Sequence, residues 1–107
     1  ALNPDDIQTM YFRAQTLVTL GKNEEAYTTA TAILAKNPGH ARALVIVADY
    51  KRQQGQFDEA LELYTKAAKT IETKAYAEHY IEVIKQQKEE EAIEREYQER
   101  QKKDQKK

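Results

Sequence analysis

Apolar residues return every three or four positions through most of this chain. In IQTMYFRAQTLVTLG (7–21), Ile7, Met10, Ala14 and Leu17 are spaced 3, 4 and 3 apart, which is one face of an α-helix. ALVIVADYKRQQG (43–55) shows the same face with Leu44, Val47 and Ala48. Gly21 and Gly55 are predicted to end these two helices, because a positive φ is cheap only for glycine. Second helices are expected at about 24–36 and 58–71, with Asn23 and Asp58 as their N-caps. Asn37-Pro38-Gly39 stops the first of these, since the residue before a proline avoids α geometry. A third segment, AYAEHYIEVIKQQ (75–87), carries Ala77, Tyr80, Ile81 and Ile84 at helical spacing, displaced by one residue from strict 34-residue register. No glycine follows it, and the chain continues as KEEEAIEREYQERQKKDQKK. This predicts a helix that covers the preceding hairpin and then projects into solvent.

The two helix pairs read as copies. Laying 7–40 over 41–74 aligns Ala14 with Ala48, Gly21 with Gly55, Glu25 with Glu59, Ala26 with Ala60 and Thr31 with Thr65. The dipeptide Asn3-Pro4 returns as Asn37-Pro38, again 34 residues on. The identities fall on small residues, where two packed helices need a methyl-sized side chain to come close. A helix pair of this size cannot bury its apolar face alone, so stacked pairs are expected to share one core.

With these residues in view, the chain resembles the tetratricopeptide repeat family, whose unit is a 34-residue helix–turn–helix. The first copy carries Ala14, Gly21, Ala26 and Pro38; the second carries Ala48, Gly55, Ala60, Tyr64 and Ala67, with GQFDEALELYTKAAK close to the family pattern throughout. The likeness covers roughly residues 1–72. It departs where Met10 and Leu44 replace an aromatic in each first helix, where Ala30 replaces one in a second helix, and where Glu72 replaces proline. The resemblance implies an all-α solenoid: two repeats in 1–74, then a capping helix and charged helical tail in 75–107. Residues 1–6 resemble the end of a preceding repeat, so further repeats are expected upstream.

In that family the first helices line a concave face that holds peptides or partner helices. The positions implied here are Gln8, Tyr11, Gln15 and Thr19, then Arg42, Val45, Asp49 and Arg52, then Glu78, Glu82 and Lys85. The resemblance therefore implies a non-catalytic binding module for a protein or peptide partner. The alternative is an assembly segment that makes contact through the charged C-terminal helix. The carboxylate clamp of chaperone-binding members is not matched, since Tyr11, Gln15 and Ile46 stand at its places.

Charge and chemistry narrow the choice further. Seventeen basic and eighteen acidic residues give a net charge of −1, so no overall field favours nucleic acid. The basic end (Arg100, Lys102, Lys103, Lys106, Lys107) could reach a membrane or nucleic acid, but Glu89, Glu90, Glu91 and Asp104 oppose it. A partner helix could instead dock on Ile93 and Tyr97, or the tail could simply be solvated. Only Ala92, Ile93 and Tyr97 are apolar after Ile84, so the apolar a and d positions that a coiled coil needs over several heptads are missing. Glu91–Arg95, Glu96–Arg100 and Glu99–Lys103 are spaced for pairing along the tail.

There is no cysteine, which excludes disulfides and thiolate metal sites. His40 and His79 have no metal-ligand spacing and no phosphate-binding loop is present, so no metal, cofactor or small-molecule substrate is expected. No segment is apolar enough for membrane insertion and no signal peptide is visible, so a cytoplasmic setting is expected. Ile7, Tyr11 and Phe12 on the uncapped N-terminal face are candidates for weak self-association.

Overall fold

The computed structural model describes residues 6–105, which form five helices joined by short turns. The helices are α1 (Ile7–Thr19), α2 (Asn23–Lys36), α3 (Ala41–Gln53), α4 (Phe57–Ala67) and α5 (Ile71–Gln105). Among the described residues there is no strand. Asn3-Pro4, the rest of the ALNP start, and Lys106 and Lys107 lie outside the described residues.

The turns follow from hydrogen-bond accounting at helix ends. The last carbonyls of a helix have no partner within it. At the end of α1, Lys22 N–H donates to Leu17 O (2.9 Å) and Gly21 N–H to Val18 O (3.0 Å). At the end of α3, Gln56 N–H donates to Lys51 O (2.9 Å) and Gly55 N–H to Arg52 O (3.0 Å). Both are Schellman caps, with Gly21 at φ 77° and Gly55 at φ 78°. A Cβ at either glycine would meet nothing within 4 Å, so backbone conformation and not space selects glycine.

The same tightness moves the expected N-caps. Lys22 and Gln56 close the Schellman bonds and are also the N-caps of α2 and α4, with no side-chain capping bond. Asn23 and Asp58 therefore sit inside the first turns. The acidic pairs Glu24–Glu25 and Asp58–Glu59 meet the positive helix ends there. At the start of α3, the Nδ1 of His40 accepts from Ala43 N–H (3.1 Å), which makes His40 a cap.

The last turn also differs from expectation. The α4 helix stops at Ala67, and α5 begins at Ile71 instead of near residue 75. The Thr73 hydroxyl is buried and donates to Ala67 O (2.6 Å), satisfying a carbonyl at the end of α4. No glycine or proline marks this turn, so nothing in the local sequence announces it.

Each helix packs on its chain neighbours, and α3 also touches α5. The contacts are lined by alanines: Ala14, Ala26, Ala30, Ala43, Ala48, Ala60, Ala67 and Ala77 are all buried. Larger side chains fill what remains. Met10, Ile33 and Val47 serve the α1–α2–α3 cluster; Leu44, Tyr64 and Ile84 serve the α3–α4–α5 cluster. Leu34 and Leu63 touch both clusters and join them. The 35 residues of α5 span about 52 Å at about 1.5 Å each. Beyond Ile84 every described residue of α5 is exposed, and the chain extends 73 Å along its longest axis against 26 and 21 Å.

Ala60→Leu should lower stability by about 1–3 kcal/mol, because a larger side chain forces helix backbones apart. Ala75→Leu, at an exposed position on α5, should change it little. Chemical denaturation of both variants checks this, and equal midpoints would show that the alanine contacts are slack. Gly55→Ala should cost about 1–2 kcal/mol by the same measurement, the strain of a Cβ at positive φ.

Candidate partner-binding groove

The α1, α3 and α5 helices flank a groove of about 330 Å³. Val18, Val45 and Ile46 give it an apolar lining, with Tyr11, Gln15, Arg42, Glu72, Thr73 and Tyr76 around them. The groove continues past Tyr11, Arg42 and Glu72 toward Ile7, Gln8 and His40. Its rim is held by Arg42, which is exposed but anchored on two helices. Its Nε donates to Glu72 Oε2 (3.1 Å), and its Nη1 donates to the Tyr11 hydroxyl oxygen (3.2 Å). Two of the five guanidinium donors are thus used within the molecule, and three remain.

The neighbouring positions on α3 face a different task. Asp49 accepts from two tyrosines, the Tyr64 hydroxyl at Oδ1 and the Tyr76 hydroxyl at Oδ2 (2.8 Å). Arg52 Nε donates to the Tyr64 hydroxyl oxygen (3.1 Å), and its guanidinium lies 4.1 Å from the centre of the Tyr80 ring. The Tyr64 and Tyr80 rings stack at 5.8 Å between centres. These five side chains tie α3, α4 and α5 together. Burial first, and the Asp49 carboxylate second, push the Tyr64 and Tyr76 hydroxyls well above the ordinary tyrosine range.

The residues expected to form a binding face therefore separate into groups. Tyr11, Gln15, Arg42 and Val45 come together in the groove, and Gln8 lies at its extension. Asp49 and Arg52 are engaged in the internal network. Thr19 donates to Gln15 O on its own helix (3.1 Å) and does not line the groove. Glu78, Glu82 and Lys85 do not line it either; Glu78 sits 3.9 Å from Lys74.

Helix geometry explains the last group. At about 100° per residue, Thr73, Ala77 and Ile84 share one buried stripe. Glu72 and Tyr76 fall on one flank of it, while Glu78, Glu82 and Lys85 fall on the other. The groove-lining contributions of α5 that sequence reasoning missed are Glu72, Thr73 and Tyr76. A signal for one of them existed: Gln8, Arg42 and Tyr76 are each 34 residues apart, and the one-residue displacement assumed for the third segment hid it. Val18 was not singled out from the sequence, and Ile46 entered only as a residue at one place of the unmatched carboxylate clamp.

Among the described residues there is no group of three or more His, Asp or Glu side chains placed to hold a metal ion, and no helix long and apolar enough to cross a membrane. No protein-family model matches the chain, and no curated protein matches it.

The raised tyrosines make a pH prediction with a definite sign. The folded state keeps protons that the unfolded chain loses above about pH 10, so stability is complete below that pH and falls as pH rises beyond it. The buried Tyr64 can contribute a slope of up to about 1.4 kcal/mol per pH unit, and the partly exposed Tyr76 less. Denaturant midpoints taken from about pH 9 upward should fall more steeply for the native chain than for Tyr64→Phe. Parallel slopes would mean that the hydroxyl titrates as it does in water.

Proposed function

We propose that this chain is a non-catalytic protein-interaction module, built from two tetratricopeptide-like repeats and a capping helix, that binds an extended peptide in the α1–α3–α5 groove. One observation carries the reading: an apolar lining of Val18, Val45 and Ile46 lies directly beside a guanidinium, Arg42, held in place with donors to spare. An aliphatic or aromatic side chain fits such a lining, and each buried methylene is worth roughly 0.8 kcal/mol. An acidic residue next to that anchor would meet Arg42 through planar, charge-assisted hydrogen bonds. The stacked helices and recurring buried alanines support the repeat assignment. The resemblance to a family of peptide-binding repeats supports the kind of partner.

The second reading is an assembly segment acting through α5. It is favoured by the length of that helix beyond the body, where Ile93 and Tyr97 are 60% and 57% exposed.

Selection from a random peptide library displayed on phage tests the groove. The expected winners pair an apolar anchor with Asp or Glu and bind with roughly 1–100 µM affinity. Val18→Asp and Arg42→Ala, both at exposed positions, should each weaken binding about tenfold or more, equivalent to about 1.4 kcal/mol. Winners that bind both variants as tightly as the native chain would exclude the groove.

A further inference from the structure

The overhang of α5 carries a second pattern, on the side away from the body. Gln86, Glu90, Ile93, Tyr97, Arg100 and Asp104 are spaced 4, 3, 4, 3 and 4 apart and form one stripe along the helix. By helical geometry this stripe lies roughly opposite the buried stripe of Thr73, Ala77 and Ile84. All six residues are exposed. Charge is also unevenly placed. Glu89, Glu90, Glu91, Glu94 and Glu96 dominate the first part of the overhang, with Lys88 and Arg95 among them, and Arg100, Lys102 and Lys103 dominate the last part, with Glu99 and Asp104 among them.

We propose that the α5 overhang pairs antiparallel with the same segment of a second copy, on a two-fold axis passing near residue 95. In that register Ile93 of each copy packs on Tyr97 of the other. Glu90 of each meets Arg100 of the other, and Gln86 meets Asp104. On one flank, Glu89 of each copy comes near Lys103 of the other. Both ends of the pairing gain opposite charges, whereas a parallel pairing would set Glu90 against Glu90 and Arg100 against Arg100. The occupant is a second copy because the seam is complementary to itself only when reversed.

The register also clears the two bodies. The last body-to-overhang contact is Lys88 with Asp58 at 2.5 Å. Residue 88 of one copy lies opposite residue 102 of the other, so each body begins where the partner helix is ending. The seam faces away from the body, and pairing needs no change in α1–α4. Arg100 is paired with Glu96 on its own helix at 2.8 Å, an exposed contact that it can exchange for Glu90 of a second copy.

The pairing is short and weak. Two Ile–Tyr layers form its apolar centre, and Glu94 and Glu96 approach their own copies on the flanks near the axis. The contact belongs with small, transient interfaces and corresponds to a dissociation constant of roughly 0.1–1 mM. It is independent of the groove and requires nothing of any peptide bound there.

Sedimentation velocity of the full chain over rising concentration tests the proposal. The expected result is a reversible monomer–dimer equilibrium, weakened about tenfold or more by Ile93→Glu, Tyr97→Glu or Arg100→Glu, and regained in the double variant Glu90→Arg with Arg100→Glu. Register is read by crosslinking, which the absence of native cysteine makes clean. On oxidation, a mixture of Glu90→Cys and Arg100→Cys chains should form the mixed disulfide faster than either like pair. Four outcomes would overturn the proposal. They are a strict monomer at millimolar concentration, faster 90–90 crosslinking, a double variant that stays monomeric, and association lost with Phe12→Glu but kept with Tyr97→Glu.

Discussion

The structure rests on helix backbones that approach closely over methyl groups. Among the described residues, eight alanines are buried at the helix contacts, spread over all five helices. Dispersion falls steeply with separation, so a side chain one size larger at such a place loses contact over the whole interface as well as at one atom. Close approach also makes the short turns possible. Only three residues separate α1 from α2, α3 from α4 and α4 from α5. Schellman bonds at Gly21 and Gly55, and the Thr73 hydroxyl at the third turn, satisfy the helix ends within those lengths.

The polar interior adds a constraint of another kind. Hydrophobic contact alone lets a helix rotate or slide by a few degrees, whereas hydrogen bonds to a shared carboxylate do not. Asp49 accepts from one tyrosine on α4 and one on α5, and Arg52 ties the first of these to the ring of Tyr80. Among the described residues, no buried side-chain nitrogen or oxygen lacks a partner. A fully satisfied network of this type rigidifies what it joins. It sets the rotation of α5, and so turns Glu72 and Tyr76 toward Arg42 and the groove.

The α5 helix changes character along its length. Its first turns are held by packing, by the Asp49 network and by Arg42. Past Lys88 its described residues are all exposed, and this part relies on its own pattern. Glu96 with Arg100, and Gln98 with Glu94, are local contacts of the i,i+4 type, each worth roughly 0.2–0.5 kcal/mol. A helix already nucleated by the body propagates through such a stretch more readily than an isolated peptide, because the unfavourable first turn has been made. The overhang is thus helical and exposed through its described residues.

The sequence by itself determined the helices, because their signals are local: apolar spacing, two glycines at positive φ, and a proline turn. It also placed Ala14, Ala26, Ala48 and Ala60 inside, since their 34-residue recurrence coincides with buried positions. It did not determine the start of α5, where Thr73 does through a side chain what glycine does in the other turns. Nor did it separate Arg42, which faces the groove, from Asp49 and Arg52, which are engaged inside. These residues are equally polar and lie on the same helix. Their roles differ only because Tyr64, Tyr76 and Tyr80 reach them from other helices. That distinction depends on how α5 is rotated against α3 and α4, a relation between distant segments that only the packed tertiary structure decides.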